Sequence, residues 1–588
     1  MAKFLKPCLF LFVIVFVSGN SQVSSALRPY DYSYTAECLK TPLKPQYDGG
    51  IVVNPELSQG LTGWEGYGKA RIRIEVADEG SNKYITAATT DLAASARVNT
   101  SFHSFAQNFH LDKDMLYSFS AWLQVRDGEA HIKAMIKPKH SNVSIIIGRV
   151  EAREGCWSML KGGFVVDVSG PATLYFESDL SIAEIWGDSI SLQPFTYEEW
   201  RSHQYETIEK VRKTKVKLQA VDKAGQPVPN AKVSIKQMEP HFPLGSALTV
   251  HILNNTAYQN WFLPRFRYAV FDRNLKWNVV EEVRGIVNYT LPDRLLEFSK
   301  EHDLIVRGHT ILWANPIKLP PWFGNLTENR EYFQAAVDMR VESVVNRYKG
   351  QFIHWDVLNE NMHFSFYEDK LGPDTTVDLF KKVQEIDPET TLFLNEYFTI
   401  EKAVDKLASP PLYLKKIEEL RKKGFNGTIG IGLQAHLTWL SLPYMRASLD
   451  VIASTKLPVW VTELDVSVYS PDRVWALDNA MREIHSHPTV QGMLLWGSWY
   501  PQPKGCWRMC LTDDNFKNLG TGDVLDKFLN EVKHGDGVHG TTDNNGYFEA
   551  SLFHGEYEAQ IEHSKSGSER FQVLPTLEPQ DPVILRAA

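Results

Sequence analysis

The sequence predicts a multidomain protein with an N-terminal, jelly-roll-like β-sandwich, a (β/α)8 barrel, and a small accessory β-sandwich formed by the two segments that flank the barrel. Its 588 residues are too many for one hydrophobic core. Short segments of alternating apolar and polar residues extend to about residue 195. From about residue 242, apolar strands alternate with amphipathic helices, which is the pattern of a parallel sheet covered by helices.

The N-terminus has the features of a secretory signal peptide over residues 1–26. Two lysines precede an apolar run at residues 8–17, and the small residues Ser24 and Ala26 follow where cleavage is expected. No later stretch is long and apolar enough to span a bilayer. We therefore expect a protein secreted to the extracellular space or cell wall, with no membrane attachment after the signal is removed.

Charge and composition limit the classes of partner. The 62 basic and 71 acidic residues give a formal net charge of −9 and form no basic block that would follow a phosphate backbone, so nucleic acid is not expected to bind. Aromatic residues make up 12% of the chain and include 16 tryptophans, which suits either a hydroxyl-rich ligand that stacks on flat faces or simply a large core. No spacing of ligand residues indicates a metal or another cofactor, and the oligomeric state is not indicated.

Sequons and cysteines are consistent with secretion. Six Asn-x-Ser/Thr sequons are candidate glycosylation sites, namely Asn99, Asn142, Asn254, Asn288, Asn325 and Asn426. Four cysteines remain after removal of the signal peptide, and an even number in an oxidising compartment indicates pairing. The pairing of Cys38 with Cys156, and of Cys506 with Cys510, keeps each disulfide inside one predicted domain.

The β-sandwich is predicted over residues 27–197 and a helical linker over residues 198–214. Segments such as ARIRIEV, AHIKAMI, VSIIIGRV and ATLYFES are separated by turns rich in Gly, Asp, Asn and Ser. Five aromatic residues of the sandwich are candidate ligand platforms, and we expect no more than one or two of them to be exposed. They are Trp64, Tyr67, Trp122, Trp157 and Trp186.

The barrel is predicted over residues 239–534. Its strand candidates are LGSALTV, RYAVFD, LIVRGHT, FIHWDVL, TLFLNEY, IGIGLQAHL, PVWVTELDV and QGMLLWGSW. Eight strands of this kind with helices between them predict a (β/α)8 barrel, whose active site lies at the C-terminal ends of the strands.

The accessory sandwich is predicted from residues 215–238 and 535–588. Neither segment has enough apolar residues to form a stable sheet alone. We therefore expect them to join into one module that resembles carboxypeptidase regulatory-like modules, with the barrel inserted between its halves. This requires strands near Val216 and Val233 to pair or pack with those near Phe548 and Tyr557. We expect the module to brace the ends of the barrel.

Two carboxylates lie at strand ends of the predicted barrel. Glu360 follows the fourth strand in WDVLNE, and Glu463 ends the seventh strand in VTELDV. Both therefore face the barrel mouth, where a protonated acid and an ionised nucleophile can together hydrolyse a glycosidic bond. The separation of the two carboxyl groups would decide between retention and inversion.

Six strand-end motifs carry a family resemblance. RGHTILW, WDVLNE, LFLNEY, GLQAHL, VTELDV and LLW, in this order along the chain, resemble glycoside hydrolase family 10, the endo-1,4-β-xylanases, over roughly residues 240–533. NENMHFSFYEDKLG and LTDDNFKNLGTGDV resemble the plant branch of that family. The N-terminal sandwich, from NPELSQGLTGW to IWGDSISL, resembles carbohydrate-binding module family 22.

The resemblance implies a role for each matching residue. Glu360 matches the general acid/base, and Glu463 matches the nucleophile that forms a covalent glycosyl-enzyme. Asn359 is similar to the residue that binds the sugar 2-hydroxyl, and His436 to the residue that orients the nucleophile. The remaining matches are substrate-binding positions. Lys276, His309, Trp313 and Gln434 match residues that line the glycone subsites, and Trp496 matches the aromatic floor under the reacting sugar.

The sequence departs from the family pattern at several of these positions. Asp272 and Arg273 stand where the family usually has Glu and Asn before Lys276, and Phe398 stands where many members carry Asn. Ala314 replaces a common His. Arg donates hydrogen bonds but accepts none, so it is a poor substitute for Asn opposite a sugar hydroxyl. We expect Arg273 to form a salt bridge with Asp272 or another nearby acid, although it could instead pair with an acidic side group of the substrate such as glucuronate.

Two functions of different classes follow from these observations. The first is a retaining endo-xylanase that acts on cell-wall xylan or a related β-1,4-linked polysaccharide and is tethered to it by the N-terminal module. The second is a carbohydrate-binding wall protein with weak or lost turnover. A xylan transglycosylase is a further outcome, because the same covalent intermediate can transfer its sugar to another sugar. The retained carboxylates favour the first function.

Overall fold

The structure is a computed structural model that describes residues 28–77, 82–89, 103–179, 184–533, 535, 537–562, 566–575 and 581–587. The predicted signal peptide and the sequon at Asn99 lie outside these residues. The described chain forms three connected bodies, a sandwich, a barrel and an accessory module, so the predicted multidomain fold is confirmed.

Within the described residues, ten antiparallel strands build the N-terminal sandwich. They are β1 (Glu65–Tyr67), β2 (Ala70–Val76), β3 (Lys83–Thr89), β4 (Ser104–Leu111), β5 (Met115–Val125), β6 (Glu129–Pro138), β7 (Ile145–Arg153), β8 (Ser158–Phe164), β9 (Gly170–Ser178) and β10 (Ile185–Thr196). Their spatial order is β1-β4-β9-β6-β7-β8-β5-β10-β3-β2. Neighbouring strands lie about 4.8 Å apart, so β5 and β9 would be about 19 Å apart in a flat sheet. The Phe119 and Phe176 rings on these strands are nevertheless 6.3 Å apart, which shows that the sheet folds over a shared core.

Most of the candidate platforms of the sandwich are buried, Trp64 in its core and Trp122 and Trp157 in a separate cluster that the N-terminal segment helps to cover. Trp64, Trp122 and Trp157 are buried, whereas Tyr67 and Trp186 are partly exposed. A disulfide between Cys38 and Cys156 fastens the N-terminal segment beside Trp157. The sandwich therefore presents at most two of the five aromatic faces to a ligand.

The predicted linker helix is packed against the barrel. Helix α1 spans Tyr197–Val211 and begins with a capping box formed by Thr196 and Glu199. Its Trp200 is buried and donates a hydrogen bond of 2.8 Å to Glu483 of the barrel. Helix α1 thus connects the sandwich to the barrel through a packed interface, which its charged sequence alone did not reveal.

The barrel contains all eight predicted strand positions. Two strands precede the barrel, β11 (Lys213–Val221) and β12 (Lys232–Pro240), and they belong to the accessory module. The strands of the barrel are β13 (Leu244–Leu248), β14 (Tyr268–Phe271), β15 (Ile305–Arg307), β16 (Leu312–Trp313), β17 (His354–Asp356), β18 (Leu358–Asn359), β19 (Thr391–Glu396), β20 (Ile429–Leu433), β21 (His436–Leu437), β22 (Val459–Val466) and β23 (Val490–Leu495). The main sheet is parallel in the order β15-β14-β13-β23-β22-β20-β19-β17. Parallel pairing of Gly308 with Trp355, and of β16 with β18, closes it into a barrel.

Helices on the outside cover the apolar strands. They are α2 (Thr256–Phe262), α3 (Trp277–Val280), α4 (Thr290–Glu301), α5 (Arg330–Tyr348), α6 (Phe366–Leu371), α7 (Thr375–Ile386), α8 (Pro410–Lys422), α9 (Leu442–Ala453), α10 (Arg473–Ser486) and α11 (Gly520–Val532). The strands read as apolar runs because the helices bury their outer faces and the packed interior buries their inner faces.

The segments on either side of the barrel join into one accessory module. After the barrel come β24 (Val538–Thr541), β25 (Tyr547–Phe553), β26 (Gly555–Glu562), β27 (Ser566–Val573) and β28 (Val583–Arg586). They form two sheets, β25-β11-β28 and β24-β12-β26-β27, around one core. Val216 pairs with Ala550 and Val233 with Ile561, so the predicted association of the two segments is confirmed.

The element bounds differ slightly from the predicted divisions of the chain. β11 begins at Lys213 and β12 continues to Pro240, so both strands of the accessory module cross the predicted boundaries at residues 214 and 238. The five described sequon asparagines are exposed. Within the described ranges, no helix is long and apolar enough to cross a membrane.

Candidate active site

A cleft of about 930 Å³ opens at the C-terminal ends of the barrel strands. All nine predicted catalytic, supporting and substrate-binding residues line it. They are Lys276, His309, Trp313, Asn359, Glu360, Gln434, His436, Glu463 and Trp496. Residues that lie up to 220 positions apart in the chain, from Lys276 to Trp496, are therefore brought to one surface by closure of the barrel.

Glu360 lies directly after β18 and is held by neutral donors. The indole Nε1 of Trp313 donates to its Oε2 at 2.7 Å, and Gln434 Nε2 donates to its Oε1 at 3.2 Å. The backbone φ of Glu360 is 63°, a left-handed conformation that costs a non-glycine residue about 1 kcal/mol or more. Ala435 and Phe398, at the ends of neighbouring strands, share this conformation with φ of 62° and 64°. Such strain at three strand ends around one cleft is typical of a functional site.

Glu463 lies on β22 and is surrounded by donors and positive charge. Asn395 Nδ2 donates to its Oε1 at 2.9 Å, and His436 Nε2 lies 3.5 Å from its Oε2. Burial alone would raise the pKa of Glu463, but the contact with His436 and the charges of His309, His436 and Lys276 lower the pKa to about 2. Glu463 is therefore ionised at any pH near neutrality.

His436 is the charged partner that faces Glu463. Its Nδ1 lies 3.1 Å from Asp465 Oδ2, an ion-pair contact whose angle is poor for a hydrogen bond. Although burial lowers the pKa of His436, Asp465 and Glu463 raise it to about 10. The imidazole is thus a permanent cation between two carboxylates.

Arg508 extends this chain of charges to the rim of the cleft. Its Nε donates to Asp465 Oδ1 at 2.6 Å, and its Nη2 donates to the Leu437 carbonyl at 2.6 Å. Arg508 sits in the short loop that the Cys506–Cys510 disulfide closes. The disulfide-closed loop therefore positions the acid that supports His436.

The side of the cleft near Lys276 combines aromatic rings with buried polar groups. Lys276 Nζ lies 4.7 Å from the Trp313 ring centre and 5.6 Å from that of Trp496. His309 Nδ1 contacts Asp356 Oδ2 at 2.8 Å. This contact fixes the orientation of the ring and does not involve Nε2. Burial lowers the pKa of Lys276, and the acids Asp272, Glu463 and Glu360 oppose that shift.

The substituted positions have different surroundings. Ala314 is fully buried and is not part of the cleft lining, whereas Asp272, Arg273 and Phe398 line it. The expected salt bridge of Arg273 is wrong, because the exposed side chain of Arg273 has no ion pair with any described residue. Lys402 Nζ lies 3.6 Å from the Phe398 ring centre, so a cation covers one face of this aromatic residue of the cleft lining.

Sequence reasoning missed two polar residues that organise the cleft, Asn395 and Arg508. Asn395 links Asn359 to Glu463, since its amide nitrogen lies 2.9 Å from an oxygen of each, and Thr462 donates to its Oδ1 at 2.6 Å. A signal was present, because Asn395 begins an Asn-Glu pair at a strand end just as Asn359 does. Arg508 had no comparable signal, since it lies in a loop with no strand pattern.

Comparison with known proteins agrees with this geometry. Residues 234–518 match the family model of glycosyl hydrolase family 10. The chain is 36% identical over 470 residues to endo-1,4-β-xylanase 5 of Arabidopsis thaliana, covering 79% of this chain and 82% of the relative. The chain belongs to glycosyl hydrolase family 10. It is also 35% identical over 502 residues to the family relative endo-1,4-β-xylanase 4 of the same plant, covering 82% of this chain and 87% of the relative.

Solved structures include similar chains. One is xylanase 10B from Thermotoga petrophila in complex with xylobiose, which is 23% identical and has a TM-score of 0.43 over 49% of this chain and 95% of the other. Among the described residues, no group of three or more His, Cys, Asp or Glu side chains is placed to hold a metal ion.

Proposed function

We propose that the protein is a secreted endo-1,4-β-xylanase that hydrolyses cell-wall xylan with retention of configuration. Glu360 acts as the acid/base and Glu463 as the nucleophile. The observation that carries this proposal is the contrast between the two carboxylates of one cleft. Glu463 faces cations and has a pKa of about 2, whereas Glu360 receives hydrogen bonds from two neutral side chains. The named activity of the Arabidopsis relatives supports xylan as the substrate class.

The reaction proceeds in two displacements. In the first, the carboxylate of Glu463 attacks the anomeric carbon. The bond between the anomeric carbon and the glycosidic oxygen breaks, and Glu360 donates its proton to that leaving oxygen. In the second, Glu360 accepts a proton from a water molecule, the water oxygen attacks the anomeric carbon, and the bond to Glu463 breaks. Each carboxyl group ends in the state in which it began.

The residues around the acids hold the sugar and the nucleophile. The oxygen of Asn359 accepts from Asn395, which leaves its amide nitrogen to donate to the sugar 2-hydroxyl. Asn395 and His436 hold the two oxygens of Glu463, so the carboxylate presents one orientation to the anomeric carbon. Trp496 provides the aromatic floor, and Lys276, His309, Trp313 and Gln434 line the glycone side.

Two variants test the assignment of the carboxylates. Glu463→Ala should abolish the release of reducing ends from xylan, because no covalent intermediate can form. Glu360→Ala should abolish activity on xylan yet release about one equivalent of phenol per enzyme from an aryl xylobioside in a burst, because the good leaving group needs no proton in the first displacement, whereas the second displacement has lost its base. Wild-type protein that releases no more reducing ends than Glu463→Ala would overturn the enzymatic function and favour a carbohydrate-binding wall protein.

The stereochemistry is a separate measurement. We expect proton NMR of the first products to show the β-anomer before mutarotation. Initial formation of the α-anomer would exclude a covalent intermediate at Glu463, while longer oligosaccharides than those supplied would identify transfer to sugars in addition to hydrolysis.

Secretion, glycosylation and the two non-catalytic modules complete the proposed function. We propose cleavage of the signal after residue 26 and glycosylation at the exposed sequons, which N-terminal sequencing and a mass shift on enzymatic deglycosylation of secreted protein would test. The N-terminal sandwich is proposed to bind polysaccharide and the accessory module to brace the barrel. Binding of xylan by Glu463→Ala, before and after substitution of Tyr67 and Trp186, tests the sandwich.

A further inference from the structure

The charge of the cleft differs from that of the whole protein. The chain carries a formal net charge of −9. The cleft lining nevertheless contains five Lys or Arg side chains, Arg273, Lys276, Lys318, Lys504 and Arg508, against the three acids Asp272, Glu360 and Glu463. Unsubstituted xylan is neutral, so an excess of cations is not required to bind its backbone.

Two of the five cations have partners that account for their positions. Arg508 is held by Asp465 and by the Leu437 carbonyl. Lys276 is enclosed between two tryptophan rings, and the charges of Asp272, Glu463 and Glu360 act on its ammonium group. These two cations therefore serve the structure of the catalytic centre itself.

The other three cations are exposed and have no carboxylate partner among the described residues. Lys318 Nζ lies 5.0 Å from the Trp313 ring centre, and Lys504 Nζ lies 4.9 Å from that of Tyr500. The Arg273 side chain makes no hydrogen bond, ion pair or ring contact with any described residue, even though Asp272 precedes it in the chain. Its guanidinium group is thus available to a ligand in the cleft.

The chemistry of Arg273 indicates what that ligand is. A guanidinium group offers only donors, in a planar fork that matches a carboxylate, and it has no acceptor for a sugar hydroxyl. A neutral amide side chain can both donate to and accept from a hydroxyl, whereas the donors and charge of Arg273 favour an acidic group.

We propose that Arg273, one of the three exposed cations of the cleft lining, binds the carboxylate of a uronic acid side group on the xylan chain. The proposal rests on the proposed function, since it names the substrate that the same cleft prefers. Arg273 is a specificity-determining residue in this assignment, and it takes no part in bond cleavage. The acidic group binds beside the backbone that Glu360 and Glu463 cleave.

A matched pair of substrates isolates the charge of the side group. One is glucuronoxylan, and the other is the same polymer after its uronic carboxyl groups have been reduced to alcohols, which keeps the branches and removes the charge. The readout is the ratio of kcat/KM on the acidic polymer to kcat/KM on the reduced polymer, because this ratio cancels any general loss of activity. We expect wild-type protein to favour the acidic polymer, and less so as salt is raised.

Arg273→Asn, which replaces the charged fork by a neutral amide, should lower this ratio about fivefold, the effect of losing one partly exposed charged contact. Arg273→Lys should give an intermediate ratio, since it keeps the charge but loses the fork. Arg294→Asn is the matched control, because Arg294 is an exposed arginine on α4 outside the cleft lining, and it should leave the ratio unchanged. An unchanged ratio in Arg273→Asn would overturn the proposal.

A binding measurement separates this proposal from the proposed hydrolysis. Calorimetric titration of Glu463→Ala and of Glu463→Ala with Arg273→Asn, using a xylo-oligosaccharide that carries one glucuronate branch and its carboxyl-reduced form, requires no turnover. Weaker binding of the acidic form alone in the double variant supports the role of Arg273 even if wild-type protein fails to cleave xylan. Equal binding of the two forms by Glu463→Ala would refute it even if cleavage is observed.

Discussion

Replacement of His436 tests how the protein keeps its nucleophile ionised. Burial raises the pKa of Glu463, yet its pKa is about 2, against an ordinary value of 4.5, because His436 and other cations face it. A charged hydrogen-bond contact is worth about 1.5–3 kcal/mol, and one pH unit corresponds to about 1.4 kcal/mol, so loss of His436 should raise the pKa of Glu463 by about 1–2 units. The carboxylate is the reactive form, so activity is lost as the pH falls through this pKa.

The assay is the pH dependence of kcat/KM on an aryl xylobioside between about pH 1.5 and pH 7, a range that includes the acid limb of the wild type and reports the essential groups of the free enzyme. His436→Ala should show an acid limb displaced upward by about 1–2 pH units, and His436→Gln a smaller loss of kcat with a similar displacement, since it restores a neutral donor. His110→Gln is the control, because that side chain is 67% exposed on the sandwich. An acid limb of His436→Ala that coincides with that of the wild type would refute the reasoning.

The same pair has a defined effect on stability. A lowered carboxyl pKa stabilises the fold above about pH 4.5, and this is lost as the pH falls toward 2. The raised pKa of His436 stabilises the fold below about pH 6.5, and this is lost as the pH rises toward 10. The contribution of the pair is therefore complete between these two ordinary values, and the difference in unfolding free energy between wild type and His436→Ala should be largest there.

Three further predictions concern contacts that support the cleft. Asn395→Leu should lower kcat about tenfold or more, since it removes a donor to Glu463, and should also lower the free energy of unfolding by about 1–3 kcal/mol, because Asn359 and Thr462 lose a buried partner; steady-state kinetics with calorimetry would check this. Arg149→Ala, which removes two 3.0 Å hydrogen bonds to the carbonyls of residues 403 and 404, should increase hydrogen exchange in that barrel loop, and unchanged exchange would contradict it. Lys161→Met should cost about 3–5 kcal/mol, because Asp450 is left buried without its cation, and denaturant unfolding would measure the loss.

The general plan of the cleft was predictable because it depends on chain order and strand periodicity. Glu360 directly follows one strand and Glu463 lies near the C-terminal end of another, so both residues are delivered to the mouth of a parallel barrel. The partners of these acids were not predictable in the same way. Asn395 reaches Glu463 across 68 positions of the chain, and its contact depends on strand register and closure, which no local pattern encodes.

Solvent exposure was the other limit of sequence reasoning. Trp64 points into the sandwich core, whereas Trp122 and Trp157 are buried in a separate cluster that residues of the N-terminal segment help to cover. The side to which a strand residue points is set by register, and a shift of one residue reverses it. The charged composition of α1 likewise concealed an interface, because Trp200 and a few polar groups are enough to dock it.

The way in which the sandwich is attached determines how it can serve the barrel. Lys161 of β8 forms a buried 2.7 Å ion pair with Asp450 of α9, and Gly163 lets Pro443 approach so closely that an added Cβ would lie 2.5 Å from its carbonyl carbon. A module on a flexible linker raises the local concentration of substrate without fixing its direction. A module docked through buried charge and close backbone contact has lost that freedom. Arg149 of the sandwich also donates hydrogen bonds to the carbonyls of residues 403 and 404, in the barrel loop that follows Phe398. Any polysaccharide that the sandwich binds is therefore presented to the cleft from one fixed direction.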